Sequence, residues 1–151
     1  MAFKKSLPPG TIFNTSEKLL PTVIRKIYYD EAKVSLNQPF DKAKLWIKVN
    51  GLKDSAKIAL ELKAVNIDSL IIEDIFNLNQ RSKIEEIENG LFAIIKTATF
   101  KNGSFSHEYL SIILKDNVVF TFDEDSTGIL NDIEDRLNQN LGEVRNFNVK
   151  F

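Results

Sequence analysis

The side chains best suited to chemistry in this chain are carboxylates, which occur in short groups. The groups are Glu73 with Asp74, then Glu85, Glu86 and Glu88, and finally Asp123, Glu124 and Asp125. Carboxylate oxygens are hard ligands of the kind that Mg²⁺ and Ca²⁺ accept in proteins. Taken alone, however, the first two groups are interpreted as ordinary solvated surface, because most acidic side chains simply face water.

Two of these groups have a simple structural interpretation. Glu85 and Glu86 fall in a predicted strand, where alternation points them to opposite faces, so they do not converge on one ion. The residues from Asp123 to Asp125 precede a predicted helix, where negative charge favours the positive N-terminal end. Their spacing is not that of an EF-hand loop.

Several classes of function are disfavoured by composition. The chain has no cysteine, and His107, predicted to be an exposed strand residue, is its only histidine; a zinc site is therefore not expected. With 20 basic and 21 acidic residues the net charge is -1, whereas a general nucleic-acid binder shows a basic excess. No glycine-rich phosphate loop or Ser-His-Asp arrangement supports an enzyme.

Alternating apolar residues and turn signals predict seven strands. They span residues 22–29, 33–36, 45–49, 83–87, 91–100, 105–114 and 118–122. The last four strands are separated by Asn89-Gly90, Asn102-Gly103 and Asp116-Asn117. Turns of this type tolerate positive φ, so they predict an antiparallel meander.

Three helices are predicted from capping residues and helical spacing. The first is capped by Asp54 or Ser55 and buries Ile58, Leu62 and Val65; the second is capped by Asp68 and carries Leu70, Ile71, Ile75 and Phe76. The third spans residues 128–141, capped by Ser126 or Thr127, with a stripe of Leu130, Ile133, Leu137 and Leu141 and a stop at Gly142. The order predicts an α/β (α+β) fold, with a mixed, largely antiparallel sheet sandwiched between helices.

The length of 151 residues suits a single domain covering residues 1–151. The longest run of aliphatic or aromatic residues is 91–95, far short of the roughly 20 residues that a membrane-spanning helix needs. We therefore expect that this polypeptide does not conduct an ion by itself.

Three stretches together resemble the amino-terminal domain of CorA transporters. The first stretch is Trp46-Ile47-Lys48-Val49-Asn50-Gly51-Leu52. The second is Ile72-Glu73-Asp74-Ile75-Phe76-Asn77, followed by Gln80-Arg81-Ser82-Lys83 and by the turn and strand Glu88-Asn89-Gly90-Leu91-Phe92. The third is Leu110-Ser111-Ile112-Ile113-Leu114, followed by Val119-Phe120-Thr121-Phe122. Leu7-Pro8-Pro9-Gly10-Thr11 also resembles the family's opening. One departure is Ser82, where the family usually has proline.

The resemblance implies a regulatory domain of a homopentameric transporter for Mg²⁺, which in some members also passes Co²⁺ or Ni²⁺. Such a domain lies on the cytoplasmic side of the cell membrane, and Mg²⁺ bound between subunits holds the pore closed. The family's stalk helix, two membrane helices and Gly-Met-Asn signature do not occur here, and residues 145–151 are interpreted as the point where the chain is cut. The isolated domain is expected to be a monomer or dimer.

The resemblance also implies that Asp74 is the first candidate, and Glu73 the second, for a ligand of the regulatory Mg²⁺ ion. Adjacent helix residues point about 100° apart, so the two carboxylates are expected to contact different waters or different ions. Both lie toward the C-terminal half of their helix, where the macrodipole favours a cation. The partner carboxylates in the family lie on the stalk helix, so this chain is expected to hold half a site.

One alternative remains open at this point. The same fold could act as a standalone soluble module for protein interaction or cation binding without transport. Arg81 and Lys83 are expected to make structural or intersubunit ion pairs rather than to contact a ligand.

Overall fold

A computed structural model describes residues 19–124 and 128–146 of the chain. Within these ranges the predicted seven strands and three helices all form. The strands are β1 (Val23–Tyr29), β2 (Val34–Leu36), β3 (Lys44–Asn50), β4 (Lys83–Ile87), β5 (Gly90–Lys101), β6 (Ser104–Lys115) and β7 (Val118–Asp123); the helices are α1 (Ser55–Lys63), α2 (Ser69–Phe76) and α3 (Asn131–Gln139).

The strands form one mixed sheet in the order β2-β1-β3-β7-β6-β5-β4. All neighbours are antiparallel except β3 and β7, which pair in parallel at the centre. The predicted meander is confirmed, and Asn89, Asn102 and Asp116 adopt the positive φ that its tight turns require. At Gly90 a β-carbon would lie 1.9 Å from the carbonyl oxygen of Leu114, so only glycine fits there.

Helices α1 and α2 cover one face of the sheet and enclose the larger core. The Asp54 and Asp68 side chains cap them, accepting hydrogen bonds from the backbone N–H groups of Lys57 and Leu70. Ile58 and Leu62 of α1 are fully buried against strand residues that are also fully or almost fully buried, among them Val49, Phe92, Ile113, Phe120 and Phe122. Each such side chain contributes about 1.5–3 kcal/mol by burial.

The residues that α1 and α2 bury differ in part from those that the sequence singled out. Val65 follows the end of α1 and is half-buried, and Leu70 is exposed. Ile72 is buried in α2 together with Ile75 and Phe76.

Helix α3 covers the opposite face, where Leu130 and Leu137 pack with Ile27, Trp46 and Leu110. The helix is shorter than predicted. It ends at Gln139 because Asn140 adopts the left-handed conformation with φ 52°, which asparagine tolerates at a helix C-terminus. The expected stop at Gly142 was therefore wrong by two residues, and the capping prediction for Ser126 and Thr127 lies outside the described residues.

The residues that α3 buries also differ from the predicted apolar stripe. Ile133 and Leu141 are exposed, whereas Glu134 is buried. Glu134 faces Lys48, whose side chain is only 3% exposed, and its Oε2 lies 2.7 Å from Lys48 Nζ. Lys48 Nζ also donates to Asn131 Oδ1 at 2.9 Å, and Arg25 pairs with the other Glu134 oxygen at 2.7 Å. A buried ion-pair cluster therefore fixes α3 to strands β1 and β3.

Candidate cation site at the end of helix α2

Helix α2 positions Glu73 and Asp74 by burying its other side. Ile72, Ile75 and Phe76 are held in the core, which leaves the two carboxylates half-buried at the helix surface. After Phe76 the chain turns through Asn77, whose backbone N–H donates to the carbonyl oxygen of Asp74 at 3.2 Å. This turn brings the segment leading into β4 back beside the helix end.

The Asp74 carboxylate uses both oxygens in contacts to that returning segment. Gln80 Nε2 donates to Oδ1 at 2.6 Å, and Lys83 Nζ donates to Oδ2 at 2.6 Å. Lys83 Nζ also contacts Glu85 Oε1 at 3.0 Å. The expected ion pair of Lys83 is thus present, and it lies within the chain.

This cluster is open to solvent. The exposed fraction of the side chain is 25% for Lys83, 24% for Asp74 and 44% for Glu85. Burial lowers the pKa of Lys83, but hydrogen bonds and charges from Asp74 and Glu85 raise it by more, so the pKa lies above its usual value. The ammonium group also lies 5.5 Å from the centre of the Phe92 ring, a distance that adds a weak cation–π attraction.

The two predicted metal ligands face different surroundings. Asp74 lines a groove of about 550 Å³ beside α2, together with Asp68, Glu85 and Glu88. Glu73 does not line this groove, in keeping with the angle between adjacent helix residues. Among residues 19–124 and 128–146, no three His, Cys, Asp or Glu side chains converge to hold a metal. The assignment of Asp74 and Glu73 as metal ligands therefore stays a prediction.

The other acidic side chains have different surroundings. Glu85 contacts Lys83, and its neighbour Glu86 pairs in register with Leu91 and is exposed. Asp123 belongs to the end of β7 and is buried, and its carbonyl oxygen accepts the N–H of Gly51 at 2.8 Å. It was therefore wrong to place Asp123 in the acidic loop before the last helix, whereas Asp125 lies outside the described residues.

Gln80 was not singled out from the sequence as a contact of Asp74. The available signal was its place in the Gln80-Arg81-Ser82-Lys83 segment, which follows the helix at a fixed distance. His107 is exposed on β6, as predicted. No helix in the described part of the chain is long and apolar enough to cross a membrane.

Solved structures with this architecture include CorA soluble domains. Over 82% of this chain, the structure superimposes on the soluble domain of CorA from Methanocaldococcus jannaschii with a TM-score of 0.59 and 19% identity, covering 50% of that chain. The full-length CmaX protein aligns with a TM-score of 0.65 and 10% identity over 86% of this chain and 42% of its own. At these identities the likeness shows the fold, which is that of a CorA soluble domain.

The sequence comparison narrows the class to a family. A family model described as CorA-like Mg²⁺ transporter protein matches residues 41–148, and the chain therefore belongs to this family, whose members are transporters rather than enzymes. The cobalt/magnesium transport protein CorA of Thermotoga maritima is 27% identical over 96% of this chain. The chain spans 45% of the length of that relative.

Proposed function

We propose that this chain is the cytoplasmic regulatory domain of a homopentameric Mg²⁺ transporter of the cell membrane. In this proposal Asp74, and secondarily Glu73, supplies part of a Mg²⁺ site completed by another segment or subunit. The observation that carries the proposal is a partly exposed Asp74 carboxylate that already holds a cationic group, in a chain of the CorA-like family.

The proposed site is suited to weak and reversible binding. Mg²⁺ dehydrates reluctantly and commonly binds through one or two carboxylates while keeping several waters. A carboxylate with about a quarter of its side chain exposed can reach such a hydrated ion without losing its own solvation. A sensor of ion concentration needs this weakness, because it must release the ion when the concentration falls.

Lys83 adds a resident competitor for the same carboxylate. Its ammonium lies 2.6 Å from Asp74 Oδ2 and also 3.0 Å from Glu85 Oε1. An arriving Mg²⁺ therefore displaces Lys83 from Asp74, while Glu85 continues to neutralise the lysine. Because the ion replaces an existing charge partner, the net gain from each binding event is small, and occupancy follows the free concentration closely.

In the assembled transporter, ion binding would hold neighbouring subunits together and keep the pore closed. Loss of the ion returns Asp74 to Lys83 and removes the attraction between subunits. The transported ions on this proposal are Mg²⁺ and, in addition, Co²⁺ or Ni²⁺.

Binding by the domain can be tested by titrating the 151-residue chain with Mg²⁺ and following backbone amide NMR shifts. We expect small saturable shifts centred on Glu73, Asp74 and Lys83, which Asp74→Asn abolishes. Asp135→Asn makes the same chemical change at an exposed position of α3 and serves as the matched control. Equal shifts in wild type and Asp74→Asn would remove Asp74 from the site.

Regulation can be tested by measuring Mg²⁺ flux through the transporter that carries this domain, at varied internal Mg²⁺. We expect Asp74→Asn to keep flux high at internal concentrations that shut the wild type. Unchanged inhibition in Asp74→Asn contradicts a sensing role. Specific Mg²⁺ binding by a chain without transport would instead favour a standalone cation-binding module.

A further inference from the structure

The chain contains three Asn-Gly dipeptides, which are suited to a spontaneous reaction of the backbone. They are Asn50-Gly51, Asn89-Gly90 and Asn102-Gly103. In such a dipeptide the backbone nitrogen of the glycine can attack the side-chain carbonyl carbon of the asparagine, because glycine has no β-carbon to hinder the approach. The attack needs a glycine N–H that base can reach and a peptide group that can rotate. The surrounding structure therefore decides which dipeptide reacts.

At two of the dipeptides the glycine is held in place. The N–H of Gly51 donates to the carbonyl oxygen of Asp123 at 2.8 Å, and Gly51 is buried. Gly90 lies in β5 between its neighbours β4 and β6, where the carbonyl oxygen of Leu114 leaves no room beside it. Neither peptide group can rotate unless the sheet opens.

The third dipeptide lies in the tight turn between β5 and β6. Asn102 and Gly103 are both exposed, with φ of 53° and 78°, as such a turn requires. A β-carbon added to Gly103 would meet no atom of the described residues within 4 Å. Water therefore reaches this peptide group, and the space around it permits rotation.

The strands that carry this turn form a ribbon that opens easily. Strands β5 and β6 pair along their whole length, but β4 pairs only with residues 90–94 and β7 only with residues 110–115. Within the described residues, the end toward the turn has no third strand beside it over roughly 20 Å. A two-stranded hairpin alone is marginally stable in water, so this ribbon opens at a lower free energy than the rest of the sheet.

The turn is closed by two exposed aromatic rings. Phe100 and Phe105 are paired directly across the strands, with ring centres 4.9 Å apart and exposed fractions of 62% and 73%. A ring pair of this kind adds modest stability. The contact can break without disturbing the buried core, because both rings already face water.

We propose that Asn102 is a site of spontaneous deamidation in the folded chain. Base removes the proton from the N–H of Gly103, and the nitrogen attacks Cγ of Asn102. The new N–Cγ bond closes a succinimide ring while the Cγ–Nδ2 bond breaks, so the side-chain nitrogen leaves as ammonia. The step needs only water and its ions. It goes beyond the proposed sensing role and involves no metal.

Water then opens the ring in one of two ways. Cleavage between the Gly103 nitrogen and Cγ gives an aspartate, which tolerates the same positive φ and adds negative charge to the turn. Cleavage between that nitrogen and the main-chain carbonyl carbon gives an isoaspartate, whose backbone passes through Cγ and is one atom longer. The longer backbone does not fit the two-residue turn, so this product separates Phe100 from Phe105.

The three dipeptides of a single sample provide the test. The 151-residue chain is kept in mildly alkaline buffer with EDTA, and its peptides are analysed by mass spectrometry for aspartate and isoaspartate. We expect Asn102 to react at least about tenfold faster than Asn50 or Asn89. Such a ratio corresponds to about 1.4 kcal/mol in the free energy of local opening.

Unfolding the chain removes the structural difference and leaves the sequence unchanged. In concentrated urea at the same pH, all three glycine N–H groups are exposed to solvent. We therefore expect the three rates to converge, mainly because Asn50 and Asn89 become faster.

A second measurement loosens the ribbon in the folded chain. Phe100→Ser with Phe105→Ser removes the ring pair and should speed the reaction at Asn102 roughly two- to tenfold, without changing the rates at Asn50 and Asn89. Leu60→Ser, at an exposed leucine of α1, is the matched control and should change none of the three rates. Circular dichroism verifies that each variant is folded.

Three outcomes overturn the proposal. Equal rates at Asn102 and Asn89 in the folded chain would remove the special position of the turn. A ranking that persists in urea would assign the difference to neighbouring residues instead of the fold. Equal acceleration of all three sites in the double phenylalanine variant would mean that the whole domain opens, and not the ribbon.

Discussion

Two lysine–carboxylate clusters lie on opposite faces of the sheet and differ mainly in their access to water. Lys48 and Glu134 have side chains only 3% and 9% exposed, whereas Lys83 and Asp74 are 25% and 24% exposed. The N···O distances are almost the same, 2.7 Å and 2.6 Å. The N···O distance alone therefore does not distinguish an ion pair that stabilises the fold from one that can exchange its partner. The exposure of the side chains to water distinguishes them.

The largest effect is expected where water is excluded. Glu134→Ala leaves the Lys48 charge buried without its main partner, so we expect the free energy of unfolding to fall by about 3–5 kcal/mol. Glu61→Ala removes the carboxylate of the more exposed Lys26–Glu61 pair and should cost about 1 kcal/mol or less. Urea unfolding measures both.

A double substitution sharpens the same point. Lys48→Met with Glu134→Leu replaces both charges by apolar groups, and it should recover most of the stability lost in Glu134→Ala. A double variant as unstable as Glu134→Ala would mean that Arg25 or Asn131, not the buried charge, controls the stability.

At the exposed cluster the expected effect is on binding more than on folding. Lys83→Met removes the competing cation, so we expect Mg²⁺ to bind Asp74 about three- to tenfold more tightly, with a stability loss of about 1 kcal/mol or less. Lys26→Met removes a comparable lysine from the pair with Glu61 and should leave Mg²⁺ affinity unchanged. Weaker binding in Lys83→Met would show that the lysine supports the ion rather than competing with it.

The smallest expected effect is on the pH dependence of folding. The pKa of Lys83 is raised in the folded chain, so its contribution is fully present below the unfolded value of about 10.4. That contribution is lost as the pH rises through the higher folded value. The stability difference between wild type and Lys83→Met should therefore be constant near neutrality and shrink in alkaline buffer, as denaturant unfolding at each pH would measure.

The sequence was sufficient for the local elements because their signals are local. Asn102-Gly103 specifies a tight turn, and Asp54 and Asp68 specify helix starts, each through contacts within a few residues. The α3 stripe was misjudged because its orientation depends on a distant residue. Lys48 lies among buried β3 residues and needs a carboxylate, so Glu134 turns inward and Ile133 faces water.

The sequence indicated which residues to consider for the candidate site, but not which contacts they make. Family resemblance pointed to Glu73 and Asp74, yet the pairing of Asp74 with Gln80 and Lys83 depends on how the chain turns after α2. No pattern in the sequence fixes that turn, because the apolar packing of Phe76 and the register of β4 decide it together.

The parallel pairing of β3 with β7 has a consequence for biosynthesis. The two central strands are about 70 residues apart in the chain, so β3 leaves the ribosome about 4–15 s before its partner at common translation rates. Until β7 arrives, one edge of β3 has no neighbour and remains open to pairing with other chains. The sheet is completed only after most of the domain has been made, which makes the nascent amino-terminal half the segment most in need of chaperone protection.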